Sequence, residues 1–338
     1  MRVWAFAACL AVALLGVPRA SAGSAAPADL IFGQPAKLVD VGGFKLNIRC
    51  IGTGSPTVIF DAGWGDWSPA WATVQPIVAG WTRTCSYDRA GGGFSDAGPF
   101  PRTSLRIVRE LHTLLQRAGE KPPFVLVGHS FGAFNMRLYA DYYLPDVAGI
   151  VLVDGGSENQ KPLMPTTWLS ANTRDLKTCE REEVGGFHGT AKQRATCLSL
   201  YYRGFPEKKW SPQLNAIVAG QALTIKQDQA TLSEAQGIFT ASGQEVRESQ
   251  RSYGHIPLRI LVATNHHFDV TNMPTPTSRA YWRHWEATWV ALHRAWLPFS
   301  TNSKLIMAPG SGHYIQFDRP DVFLKSMKEV IATVRSGG

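Results

Sequence analysis

Short apolar runs alternate along this chain with longer segments whose apolar residues recur at helical spacing. Val39–Val41 and Phe44–Cys50 flank Gly42-Gly43, and Phe44, Leu46, Ile48 and Cys50 alternate strictly, which predicts a hairpin. Thr57–Phe60 predicts a short buried strand, followed by the loop Asp61-Ala62-Gly63-Trp64-Gly65-Asp66-Trp67. A helix is expected over Pro69–Ala79 with Ser68 as its cap, and a strand over Arg83–Tyr87. Ser104–Ala118 carries Leu105, Val108, Leu111, Leu114 and Leu115 at helical spacing and stops at Gly119. Val125–Val127 then runs straight into Gly128-His129-Ser130-Phe131-Gly132, and a helix is expected from Ala133 to Leu144.

Gly149–Asp154 is apolar on both faces, as a parallel strand covered by helices must be. The alternation then lapses. Between Ser157 and His255 the segments are polar and helix-like, with no core strand. Leu258–Ala263 and Leu305–Ala308 resume the strands, 281–296 reads as a packed helix, and Asp321–Val334 as a closing amphipathic helix. The pattern predicts an α/β fold: a mostly parallel central sheet flanked by helices, its core at 37–157 and 256–338. A largely helical cap or lid insertion is expected over 158–255.

Composition agrees with a folded chain: of 338 residues, 44% are hydrophobic and 18% charged. Residues 1–22 read as a signal peptide, with Arg2, the apolar stretch Val3–Val17 and the small-x-small site Ala20-Ser21-Ala22. That stretch is short for a membrane span, so a periplasmic or secreted protein without stable membrane insertion is expected. Export leaves Cys50, Cys85, Cys179 and Cys197, an even set that favours disulfides in an oxidising compartment, with every connectivity open. The net charge of +8 is scattered, and neither a basic run nor zinc-ligand spacing points to nucleic acid.

Together these motifs resemble the α/β-hydrolase superfamily over residues 37–338. Gly128-His129-Ser130-Phe131-Gly132 resembles its nucleophile elbow. Ala62-Gly63-Trp64 stands where the family has His-Gly-x. Tyr87–Ser95 resembles its Asp-x-Arg-Gly-x-Gly-x-Ser turn, and Gly310-Ser311-Gly312-His313 its Gly-x-Gly-His turn. Two residues depart from the pattern: Ala62 replaces the usual histidine and Ala90 a glycine. The resemblance makes the second and fourth strands neighbours, which implies a Cys50–Cys85 disulfide and leaves Cys179 to pair with Cys197 in the insertion.

A serine hydroxyl needs a base and an orienting acid to act as nucleophile. Ser130 is the candidate nucleophile, at a sharp turn with a helix N-terminus behind it. His313 is the candidate base, carried by a glycine-rich loop after a strand. The other histidines are less well placed: His129 within the elbow, His112 in mid-helix, His255, His266 and His267 around the strand that follows the insertion. Asp269, a short loop beyond Leu258–Ala263, stands at the family's usual position for the acid. Asp154, at the end of the preceding strand, is the alternative acid, and Glu286 a further candidate. The backbone N–H groups of Phe131 and Trp64 would form the oxyanion hole. Asp88 and Arg89 read as loop-holding residues.

The expectation is an exported serine hydrolase that cleaves a small-molecule carboxylic ester through an acyl-enzyme, with no cofactor or metal. Glu180, Glu182 and Glu183 leave open an amidase or aminopeptidase of the same fold, and a non-catalytic binding protein is the third reading. Serine in the elbow argues against dehalogenase or epoxide-hydrolase chemistry, which uses an aspartate there. Oligomeric state is not legible.

Overall fold

The computed structural model describes residues 27–163, 174–175, 177–179, 181, 188–201, 207–266 and 279–337. The expected signal peptide therefore lies outside them. In chain order the elements begin β1 (Lys37–Asp40), β2 (Lys45–Ile51), β3 (Thr57–Asp61), α1 (Gln75–Ala79), β4 (Thr84–Tyr87) and α2 (Ser104–Ala118). Next come β5 (Phe124–His129), α3 (Gly132–Tyr142) and β6 (Val147–Val153). Between β6 and β7 lie α4 (Ala191–Tyr201), α5 (Pro212–Ala222), α6 (Ile225–Ile238) and α7 (Ala241–Ser249). The chain closes with β7 (Leu258–Ala263), α8 (Arg279–Arg294), β8 (Ser303–Ala308), α9 (Ile315–Asp318) and α10 (Pro320–Arg335).

One sheet runs in the order β1-β2-β4-β3-β5-β6-β7-β8. β1 and β2 are antiparallel, as are β2 and β4; the pairings from β4 through β8 are parallel. Strand side chains alternate between two buried layers. Ile59, Leu126, Ile150, Leu152 and Ile260 join Leu111 and Leu114 of α2 and Met136 and Leu138 of α3. Val58, Phe60, Val127, Val151 and Leu261 face the other way, against Val78 of α1 and Phe323, Met327 and Val330 of α10. Such double-sided burial is the reason these strands are predominantly apolar.

Three expectations shift in detail. The helix expected over Pro69–Ala79 splits into a 3-10 turn, Ser68–Trp71, and the short α1. Pro76 has no N–H to continue the ladder, and the Ser68 side chain does not cap. The helix after the elbow stops at Tyr142, because Pro145 cannot extend it. β6 begins two residues before Gly149. The two disulfides are those implied by the family resemblance: Cys50–Cys85, directly opposite each other on β2 and β4, and Cys179–Cys197. No helix among the described residues is long and apolar enough to cross a membrane.

Candidate active site

The carboxyl ends of the parallel strands converge where an open α/β sheet ordinarily builds its site. β5 ends at His129, and Ser130 turns the chain into α3 with φ of 51°. A side chain at Gly128 would lie 2.4 Å from the Gly132 carbonyl oxygen, and one at Gly132 would lie 2.4 Å from that of Asp61. Both glycines therefore let strand, helix and the neighbouring loop approach closely. Ser130 N–H donates to the Val153 carbonyl (3.1 Å), and Gly156 N–H donates back to the Ser130 carbonyl (2.9 Å). Phe131 stands at the N-cap of α3.

Among the described residues, Asp154 is the other non-glycine residue with a left-handed backbone, at φ of 41°. Strain of this kind persists only where the surroundings impose it, and it gathers at functional sites. The turn aims a fully buried carboxylate at His313: Nδ1 of His313 donates to Oδ2 at 2.7 Å. The other carboxylate oxygen, Oδ1, accepts from Ala263 N–H (3.0 Å) and from the Trp289 indole (2.9 Å). Asp269, expected to be the acid, lies outside the described residues; the carboxylate that meets His313 belongs to Asp154. Its sequence signal was the pair Gly155-Gly156. A side chain on Gly155 would sit 2.6 Å from Ala133 Cβ, and one on Gly156 2.7 Å from the Phe134 ring. β6 can therefore end against α3 only through glycine.

His266, just after β7, was passed over in the sequence. Its Nε2 donates to the same Asp154 Oδ2 at 2.8 Å, and its Nδ1 lies 3.0 Å from both carboxylate oxygens of Glu286 on α8. Burial pulls its pKa down, but Asp154 and Glu286 outweigh burial and push it up to about 10. For Asp154 burial works upward, and the two imidazoles more than offset it, holding the carboxylate well below its usual range. Asp154, His266 and His313 each offer one donor atom within a 4.8 Å cluster that could hold a metal ion. Both imidazoles stand at hydrogen-bond distance from a single oxygen, so proton sharing accounts for the arrangement. Cys50 and Cys85, which cluster with Glu120, are spent in a disulfide.

The glycine-rich loop after β3 is braced from two sides. Arg89 donates to Asp61 Oδ1 (2.8 Å), to the carbonyls of Ala62 (2.9 Å) and Gly63 (2.5 Å), and to Glu234 of α6 (2.7 Å). Burial opposes its charge, and Glu234 and Asp61 more than restore it. Glu234 also accepts from Gly65 N–H at 3.2 Å, and the Trp64 indole donates to the Thr231 carbonyl at 2.7 Å. Gln227 joins the Gly65 carbonyl to Gly93 N–H, at 2.8 and 3.1 Å. Asp88 accepts from Ser68 N–H, Phe94 N–H and Asn47 at 2.9–3.0 Å, so it ties loops together.

His129 points away from the elbow, and its Nε2–H donates to the His313 carbonyl at 3.0 Å. Burial and the nearby His313 depress it to about 3, so it stays neutral. Beside it, Asp66 accepts from the Tyr314 hydroxyl at 3.0 Å. Neither contact could be read from the sequence, because the partners lie more than 180 residues apart. Glu180, Glu182, Glu183 and His267 lie outside the described residues.

Residues 54–325 match the model of the alpha/beta hydrolase family, so the chain belongs to that family. A probable transporter, efuK, of Hormonema carpetanum is 32% identical over 136 residues, 38% of this chain; the match spans only 20% of that protein. The uncharacterized protein YqjL of Bacillus subtilis (strain 168) is 26% identical over 271 residues, 80% of this chain and 81% of its own. Among solved structures, a thermophilic esterase from Thermogutta terrifontis superposes with a TM-score of 0.61 at 17% identity, covering 89% of this chain and 99% of its own. A mutant epoxide hydrolase from Bacillus megaterium superposes with a TM-score of 0.62 at 16% identity, covering 88% and 100%. These likenesses show the hydrolase fold.

Proposed function

We propose that the protein is an exported serine hydrolase that cleaves small-molecule carboxylic esters, with Ser130, His313 and Asp154 as its triad. The observation that carries the reading is the 2.7 Å hydrogen bond from His313 Nδ1 to Asp154, on a loop whose His313 carbonyl accepts from His129, the residue before Ser130. Asp154 takes the role that the sequence assigned to Asp269. With Nδ1–H held by Asp154, His313 presents the lone pair of Nε2 as base. Ser130 Oγ attacks the ester carbonyl carbon while its proton passes to Nε2. The tetrahedral oxyanion is held by the N–H groups of Phe131 and Trp64, and its collapse expels the alcohol, protonated by His313. Water then attacks the acyl-serine with His313 again as base, releasing the acid and restoring the hydroxyl.

A serine in the elbow favours an acyl-enzyme over the alkyl-enzyme that a carboxylate nucleophile would form. The two disulfides and the sequence of residues 1–22 support export. The helical segment ahead of β7 is read as the cap that selects the substrate.

The test is turnover of short- and long-chain p-nitrophenyl esters, with labelling by a fluorophosphonate, in the wild type, Ser130→Ala and Asp154→Asn. Ser130→Ala is expected to abolish labelling and lower kcat by roughly 10³-fold or more. Asp154→Asn is expected to lower kcat by about 10²–10⁴-fold while Ser130 remains slowly labelled. Labelling without ester turnover would move the reading to amides. Absence of both in the wild type would refute a serine hydrolase.

A further inference from the structure

One carboxylate oxygen in this protein serves two imidazoles. Oδ2 of Asp154 accepts from His313 Nδ1 at 2.7 Å and from His266 Nε2 at 2.8 Å. The far side of His266 is closed by a second carboxylate, since Glu286 accepts from its Nδ1 and from its backbone N–H at 2.9–3.0 Å. An ionised carboxylate only accepts hydrogen bonds, so an imidazole held between two of them carries a proton on each nitrogen. It is an imidazolium, packed against a tilted Trp285 ring and edge-on to Trp289, and 3% exposed.

Resting on the triad reading above, we propose that His266 is a positioning residue. As a permanent cation it fixes Asp154 from behind and sets the pH at which His313 becomes a free base. The chain of groups is Glu286, His266, Asp154, His313, with charge alternating along its first three members. A protonated His266 makes formation of a second imidazolium on His313 harder, and so keeps His313 available as base in more acidic solution. The two rings lie 6.4 Å apart, where a unit charge moves a neighbour's titration by roughly one to two pH units at an effective dielectric of about 20.

The other titratable groups near these rings do not supply that charge. His293, also on α8, is buried and held neutral, and His129 beneath His313 is neutral as well. Asp66 and Tyr314 approach from the loop after β3 and from α9's N-terminal edge, and neither is a cation. Burial works against the charge on His266, and its two carboxylate partners restore it.

Two measurements test the proposal. The first needs no activity: imidazole ¹⁵N spectra of Ser130→Ala protein at pH 8. One histidine should carry both ring protons, and its signals should vanish when His266→Gln is added. A spectrum with every ring neutral at pH 8 overturns the proposal. The second is the pH profile of kcat/KM, whose acidic limb reports the free base. In His266→Gln the limb should move up by about one pH unit; a lower plateau with the limb unmoved would show a purely structural role and overturn it. Should His266→Gln not fold, Glu286→Gln replaces it. Loss of the outer carboxylate should lower the titration midpoint of His266 by about one unit or more, and an unchanged midpoint counts against the chain. Failure of the hydrolase reading itself would appear separately, as a wild type that neither turns over esters nor reacts with fluorophosphonate.

Discussion

Asp66 shows how a single buried carboxyl couples the candidate site to pH. Burial pushes it up to about 7, against the opposing effects of the Tyr314 hydrogen bond and Arg89. In an unfolded chain an aspartate titrates near about 3.9, so the folded protein holds this proton more tightly. The resulting stability is full below about pH 4 and is lost as pH rises through about 7. Asp66→Asn removes the cost of burying the ionised form. Its melting temperature should exceed that of the wild type by a few degrees at pH 8, with the gap narrowing toward pH 4. A gap that does not narrow in acid would show that the ionised carboxylate is not what costs stability. The turns that carry Ser130 and His313 could be read from sequence because glycines mark them. Asp66 and His266 could not, since Tyr314 is 248 residues from Asp66 and Asp154 is 112 from His266. Spacing carries no trace of such partners.

At the scale of elements, α6 lies in a stretch legible only as polar and helix-like, because much of the face it buries is polar. Gln227, Thr231 and Glu234 recur at helical spacing and are buried, but against backbone amides and Arg89 rather than apolar side chains. A period detected through hydrophobicity passes over such a helix. Its contacts give a sharp expectation for Glu234→Gln. Arg89 would keep Asp61 but lose half of its neutralising charge, and the loop at Gly63–Gly65 would lose one of its anchors. Stability should fall by roughly 2 kcal/mol, less than the roughly 3–5 kcal/mol of a fully broken buried pair. Ester kcat should fall about tenfold or more with KM little changed, because the loop donor acts on the developing oxyanion. A raised KM with kcat unchanged would instead assign α6 to substrate binding. The central strands β5, β6 and β7, by contrast, were legible because burial on both faces favours apolar residues.

For the whole molecule, the antiparallel edge and the parallel remainder of the sheet meet at β2 and β4, where Cys50 and Cys85 are directly opposed. Their bond closes a loop with a sequence separation of 35, for which the chain-entropy account gives about 4 kcal/mol. The Cys50→Ser/Cys85→Ser double variant should therefore unfold at clearly lower denaturant, by about 2–4 kcal/mol, with its ester kinetics intact. Equal denaturation midpoints would show that the sheet holds this junction unaided. The overall architecture was readable because strand and helix periods alternate over the core, whereas the polar stretch before β7 offered a helix-like character without the bounds of its helices. That stretch is also less independent than its place in the chain suggests. Glu234 belongs to it, yet neutralises an arginine of the core and holds the loop packed against the Ser130 turn. Exchanging this segment among relatives would therefore exchange part of the support of the Gly63–Gly65 loop as well, and a graft must bring its own counter-ion for Arg89.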